Sequence, residues 1–258
     1  MTTRYFEITE SPGQKATREQ LERLYQRYHF ASKFLTEGSV LEVACGSGLG
    51  LGYLAGYADR AVGGDIDRRN VEAAARHYDG RESITIQEMD AHNLPFEEGS
   101  FNTVVLFEAI YYLDKPEQFV SEAKRVLKVG GQLIVSTVNK NWKDFHPSKY
   151  AIQYFSVEEL STLLQSDNSH VEFYGGFEEG DNGLEGKVFS FLKGTASKIH
   201  IIPGSLKARE YLKRVFIGNL EPIPSEVHDG MASYVNPIVI NNESSAAQYK
   251  IIYAVMRK

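Results

Sequence analysis

Cysteine is nearly absent: Cys45 stands alone among 258 residues. No intramolecular disulfide and no multi-cysteine zinc site can form, so a secreted fold held by disulfides is excluded. Long apolar runs are missing too, and none approaches the roughly 18 residues of a membrane-spanning helix. The N-terminal stretch carries Arg4, Glu7, Glu10, Lys15, Arg18 and Glu19, which leaves no apolar core for a secretory leader. Positive charge is scarce, with 28 basic against 34 acidic side chains and a net charge of −6. A pI near 5.7 argues against a general nucleic-acid binder, which needs a basic field for its phosphate contacts. There is no internal repeat and no low-complexity tract. A cytoplasmic protein without a nucleic-acid partner is the expectation.

What is present is periodic. Leu21, Leu24, Tyr25, Tyr28, Ala31 and Leu35 share one helical face between Lys15 and Leu35, and Gly38 closes that helix. Beyond it, strands are predicted over 40–44, 60–65, 84–87, 101–107 and 132–138. Helices are predicted after the glycine-dense turn 46–52 and over 67–78 and 116–127. Such alternation with short connections predicts a parallel sheet covered on both faces. A helix over 157–164, an extended segment over 170–174 and a strand over 249–256 follow. The stretch between the last two is too long for a hairpin loop and reads as an insertion. The expected organisation is an arm and helix in 1–38, a Rossmann-like core in 39–176 plus 249–258, and an insertion in 177–248 that caps the substrate.

The segment Leu41-Glu-Val-Ala-Cys-Gly-Ser-Gly-Leu-Gly50 sets a glycine-rich turn between the first core strand and its helix, where a ligand can approach the backbone. The dinucleotide fingerprint GxGxxG fails in both registers, because Leu51 and Tyr53 stand where its third glycine belongs. Asp65 ends the second strand, 19 residues after Gly46, where a carboxylate accepts from both ribose hydroxyls. That position serves NAD equally, so it marks a nucleoside without choosing one. Asp90 follows the third strand in Asp90-Ala-His-Asn-Leu-Pro-Phe96, placed to accept from an adenine amino group. A lone acid at a strand end also caps helices and turns; two of them in chain order behind the glycine loop point to a nucleoside cofactor.

Residues 39–139 resemble the class I S-adenosylmethionine-dependent methyltransferases through LEVACGSGLG, GGDIDRRNVEAA, MDAHNLPFEEGSFNTVVLFEAIYYL and RVLKVGGQLIVSTVN. The resemblance implies an α/β, Rossmann-like class I methyltransferase fold. Its sheet would be seven-stranded and mostly parallel with the last strand antiparallel, an N-terminal helical cover, and a large insertion before the final strand. It also implies S-adenosyl-L-methionine as cofactor. Glu42 and the backbone of Ala44, Gly46 and Gly48 would hold the methionine end, and Asp65 the ribose. Ile66 would lie against the adenine, Asp90 and Ala91 at its edge, and Phe107 beside the methionyl moiety. Arg27-Tyr28, VACGSG, FEAI and STVN further resemble methyltransferases of sugar and cell-surface polysaccharide pathways. In that group Arg27 or Tyr28 reaches the cofactor carboxylate; a solvated helix arginine is the competing reading. No metal site is expected.

For methyl transfer the protein must mainly align and desolvate the acceptor, and a base is needed only for a protonated nucleophile such as a hydroxyl. Candidates belong at the carboxyl ends of the fourth and fifth strands. Glu108 and Tyr112 follow the fourth; Tyr111-Tyr112 stands where related sequences often carry Glu-His, which removes a histidine base there. His146 follows the fifth, beside Trp142, and a loop histidine is chemically suited to take a hydroxyl proton. In the insertion, Lys187, Lys193, Lys198, Lys207, Arg209, Lys213 and Arg214 face a single acid, Glu210, between apolar residues. That pattern suits a membrane surface or an anionic amphiphile as well as a packed helical cap. The resulting expectation is a monomeric or homodimeric methyltransferase acting on a small molecule, at an oxygen of a sugar or glycolipid precursor. Transfer to nitrogen or carbon, or cofactor binding without transfer, are the alternatives.

Overall fold

Apolar residues on alternate positions of each strand bury on opposite faces of one central sheet. The computed structural model describes residues 5–165, 169–178, 220–241 and 246–258. In chain order it contains α1 (Tyr5–Ile8), β1 (Lys15–Ala16), α2 (Arg18–Ser32), β2 (Ser39–Val43), α3 (Leu51–Ala55), β3 (Arg60–Asp65), α4 (Arg68–His77), β4 (Ile84–Glu88) and β5 (Phe101–Phe107). There follow α5 (Pro116–Val126), β6 (Leu127–Val138), α6 (Val157–Leu164), β7 (His170–Glu178), β8 (Glu221–Pro222), β9 (Ile238–Val239) and β10 (Tyr249–Arg257).

The main sheet runs β4-β3-β2-β5-β6-β10-β7-β9. Its first five strands are mutually parallel, and β10 is antiparallel to both β6 and β7. The expected seven-stranded, mostly parallel sheet with an antiparallel last strand is therefore present. The two-residue β9 adds an edge to it; so short a pair carries no periodic signal. The predicted helix after the glycine turn is also shorter than expected, because Gly56 caps α3 after Ala55.

Along β5, Val104 and Leu106 pack with α5 and α6, whereas Val105 and Phe107 pack with α2 and α3. Helix α2 begins with a reciprocal cap: the Thr17 hydroxyl accepts from the Gln20 N–H, and the Gln20 side chain accepts from the Thr17 N–H. This fixes the phase of the helix. Leu21, Leu24, Tyr25 and Tyr28 are buried, and the side of α2 carrying Gln20, Arg23 and Arg27 meets the carboxyl ends of the strands.

Residues 220–241 lie along α2, α3 and α4. Asp229 accepts from the Tyr25 and Tyr53 hydroxyls at 3.1 and 2.7 Å, and Val235 O accepts from Gln26 Nε2 at 2.8 Å. Glu226 binds Arg81 Nη1 at 2.9 Å and His77 Nε2 at 2.9 Å. The basic stretch 187–217 lies outside the described residues. Among the described residues, no helix is long and apolar enough to cross a membrane.

Candidate active site

A cavity of about 510 Å³ opens at the carboxyl ends of β2 to β6 and is closed on its other side by α2 and the arm around α1. Its floor is the turn after β2. Ala44 sits there at φ +57°, a left-handed conformation that a residue with a Cβ adopts at roughly 1–2 kcal/mol. Gly46 lines the cavity, but Gly48 does not: at φ +81° a Cβ there would stand 3.0 Å from Ala74 Cβ and 3.1 Å from the Tyr78 ring. Gly48 thus lets the turn pack on α4 rather than facing a ligand. Cys45 is buried in this floor, and burial holds its thiol protonated, which suits a space-filling role.

Asp65 joins two walls. Its Oδ2 accepts from Gly46 N at 2.9 Å, and its Oδ1 from Asp67 N at 2.8 Å and Asn70 Nδ2 at 3.2 Å. Burial pushes this carboxyl up against those donors. The side chain therefore holds the glycine turn as well as facing the cavity. Asp65→Ala is expected to loosen that turn besides removing a ligand contact, and Asp65→Asn is the cleaner probe. We expect the Asn variant to stay folded by circular dichroism and to bind S-adenosylhomocysteine about 10–150-fold more weakly, the loss of one or two charge-assisted hydrogen bonds. An unchanged affinity would show that Asp65 holds only the turn.

The deepest corner is charged. Tyr28 donates to Glu42 Oε1 at 2.6 Å, while Glu42 Oε2 is buried without a partner. Burial raises the Glu42 carboxyl to about 7, against the Tyr28 bond and the Arg27 charge. Arg27 pairs with Glu10 from the arm, and its Nε is buried and unpartnered. Glu10 pushes the guanidinium further toward the charged form despite burial. Arg27 is thus no solvated helix arginine. Phe107 meets the Tyr28 ring edge-on at 5.2 Å, closing this corner. An orphaned carboxylate oxygen beside an arginine is a berth for an ammonium and a carboxylate on one carbon.

Along the other wall, Ile66, Asp90, Ala91 and His92 line the cavity. Asp90 Oδ1 accepts from His92 N at 2.9 Å and faces His92 Nδ1 at 2.7 Å; these bonds hold the carboxyl low although burial opposes them. His92 Nε2 lies 3.0 Å from Asp114 without hydrogen-bond alignment. The ring is thus tied between two acids.

The remaining end is formed by Tyr5, Arg23, Glu108, Tyr112, Ser136 and Tyr253. Glu108 sits at φ +52° and accepts from the Tyr111 hydroxyl at 3.2 Å. Burial raises its carboxyl; the charges of Arg27 and Arg23 hold it back. Tyr112 touches Tyr5 at 5.8 Å between ring centres, and burial keeps its phenol protonated, which fits positioning and not proton abstraction. His146 is exposed on the loop after β6 and does not line the cavity, whereas Glu108 does. Tyr5, Thr9, Glu10 and Arg23 went unforeseen. Only Arg23 had a signal, lying one helical turn before Arg27. No group of three or more His, Cys, Asp or Glu among the described residues could hold a metal.

Residues 41–135 match the sequence profile of the methyltransferase domain family. The "Probable S-adenosylmethionine-dependent methyltransferase" of Mycolicibacterium smegmatis is 33% identical over 52% of this chain and 52% of its own length. The ubiquinone biosynthesis O-methyltransferase of Bradyrhizobium is 32% identical over 48% of this chain and 49% of its own. The chain thus spans about half the length of these curated relatives. Among solved structures, an S-adenosylmethionine-dependent methyltransferase of Thermotoga maritima, described as a possible histamine N-methyltransferase, superposes with a TM-score of 0.55 at 19% identity, covering 93% of this chain and 90% of that one. The [4+2]-cyclase SpnF superposes with a TM-score of 0.55 at 17% identity over 92% and 81%. These likenesses establish the Rossmann-like methyltransferase fold. A neighbour named for cyclisation leaves the reaction to be argued from the side chains.

Proposed function

We propose that this chain is an S-adenosylmethionine-dependent methyltransferase that methylates an oxygen of a small hydroxylated acceptor, in the first instance a sugar or glycolipid precursor. The observation that carries this reading is that Glu42, with Oε2 buried and orphaned, and Arg27, with Nε buried and unpartnered, line one cavity together with Asp65. An amino-acid head fits the first two and a ribose the third, and no dinucleotide phosphate finds its third glycine. The residues present therefore fit this cofactor, which when bound supplies a methyl on a sulfonium whose sulfur keeps the electron pair of the breaking bond.

The chain's own work is then positional. Glu42 and Arg27 hold the head, Asp65 the ribose, Ile66 and Asp90 the base. At the open end, Tyr5 and Tyr112 offer ring faces to an acceptor, and Glu108 takes the hydroxyl proton as the oxygen bonds to the methyl carbon. The sugar assignment rests on the resemblance of the Arg27-Tyr28 and STVN segments. Oxygen as the nucleophile draws support from the carboxylate at the strand end and from the name of the ubiquinone relative. The cap role of 177–248 belongs to this proposal; residues 220–241 do not line the cavity.

Calorimetric titration with S-adenosylhomocysteine, with NAD as control, is the direct test. Micromolar binding of the first and none of the second is expected. Binding of NAD, or of neither, would overturn the cofactor reading.

A further inference from the structure

The acceptor end of the cavity carries a cation that the cofactor reading does not use. Arg23 lies on α2 one turn before Arg27 and lines the same cavity. Of its guanidinium nitrogens, Nη2 binds Glu19 at 2.6 Å, while Nε is buried without a partner. Its plane lies over the Phe177 ring at 5.5 Å, which limits its swing. Glu19 does not neutralise it fully, because the same Glu19 Oε1 also accepts from Lys250 Nζ at 3.0 Å. Two cations share one carboxylate, and one positive charge is left over.

The acids lining the cavity have other partners or other tasks. Glu10 pairs with Arg27, Asp65 takes three donors, Asp90 binds His92, and Glu42 faces the head-group corner. Asp114 is exposed, lies 3.0 Å from His92 and acts on Tyr5, whereas Glu108 feels the charge of Arg27 first and that of Arg23 next. A planar guanidinium with unused donors recognises carboxylate and phosphate oxygens in preference to neutral groups. Gln20, also at this wall, has its Oε1 engaged by Thr17 N and keeps amide donors of the same sense.

We propose that Arg23 is a specificity determinant: the acceptor carries an anionic group, a carboxylate or a phosphate, which Arg23 pairs while the reacting hydroxyl lies at Glu108. This rests on the methyltransferase reading, and it adds what that reading leaves open, the charge class of the substrate. An anchored anion fixes the acceptor's orientation, which is where rate is gained when the cofactor supplies the leaving group.

The test uses the complete protein saturated with S-adenosylhomocysteine, so that failure of the cofactor reading appears first, as absent binding of that nucleoside. Benzoate, phenyl phosphate and the neutral isostere benzamide are then titrated by calorimetry. At least one of the two anions is expected to bind about tenfold or more tighter than benzamide, the larger effect telling carboxylate from phosphate. Arg23→Gln should remove that preference with nucleoside affinity unchanged, and Arg23→Lys should retain part of it. Equal binding of benzamide, binding of none of the three, or a preference that survives in Arg23→Gln would overturn the proposal. If the Gln variant does not fold, the wild-type comparison and the Lys variant still decide.

Discussion

Replacing Glu42 by Gln is expected to weaken S-adenosylhomocysteine binding about 10–150-fold, the loss of a charge-assisted contact, while making the unliganded protein more stable. Both effects come from one atom. Glu42 is 2% exposed, one oxygen takes the Tyr28 hydroxyl, and the other has no partner. Burial therefore raises its carboxyl from 4.5 to about 7. Below about 4.5 the folded and unfolded states are both protonated and Glu42 is neutral in the balance. Between there and about 7 the folded state keeps a proton that the unfolded state has released, so stability falls as pH rises. Above 7 the whole penalty is present, at most about 3.5 kcal/mol on the scale of 1.4 kcal/mol per unit. Gln removes the charge but brings an amide donor of its own, so a gain of about 1–2 kcal/mol near pH 8 is expected, and none near pH 4.5. Denaturant unfolding at the two pH values measures this.

Binding reads the same group from the other side. An ammonium requires the carboxylate, so wild-type affinity should fall about tenfold per pH unit below 7 and stay flat above it. The Gln variant should lose that slope. A wild-type affinity independent of pH between 5 and 8 would show that Glu42 does not meet the ligand's ammonium. The corner is built at the expense of stability, as functional sites are when a buried charge waits for its partner.

The sheet was legible because its strands announce themselves. Phe101–Phe107 is apolar at every position but Asn102 and Thr103, as suits a strand covered on both faces, and the observed β5 has those bounds. Asp65 was legible because its position at a strand end fixes what its side chain faces, and Glu42 through the family resemblance of the glycine turn. The arm was not. Tyr5–Ile8 has no period, and its place over the cavity depends on distant contacts: Phe6 N to Asp67 Oδ2 at 3.1 Å, Asn70 Nδ2 to Thr9 Oγ1 at 3.2 Å, and Ser47 Oγ to Glu10 O at 3.0 Å. Gly48 was legible as a glycine but not in its purpose, because the need lies in the approach of Ala74 and Tyr78 from another element. His146 shows the converse. Its chemistry made it a candidate, and only the fold places it outside the cavity lining.

Glu108→Gln is expected to lower kcat for a hydroxyl acceptor by about 10²–10⁴-fold, the ordinary worth of a general base, with S-adenosylhomocysteine affinity unchanged. Glu108 takes the Tyr111 hydroxyl, stands beside the Ser136 hydroxyl and lines the cavity with Tyr112. Burial is the first cause of its raised carboxyl, with Arg27 and Arg23 opposing. A base must be ionised to act, so wild-type kcat/KM should fall with unit slope as pH drops through a value above the usual 4.5, and the Gln variant should lack that limb. A more acidic hydroxyl, such as a nitrophenol, should lose less on substitution because part of it is already ionised. The backbone gives a second measurement. A non-glycine residue at φ +52° is strained by roughly 1–2 kcal/mol, and such strain survives where the side chain is needed. Glu108→Gly relieves the conformation and removes a buried carboxyl, so it should unfold no more easily than wild type while losing activity as the Gln variant does. A Gly variant that is much less stable, or a Gln variant with full kcat, would make Glu108 a structural residue and leave the acceptor proton without a base.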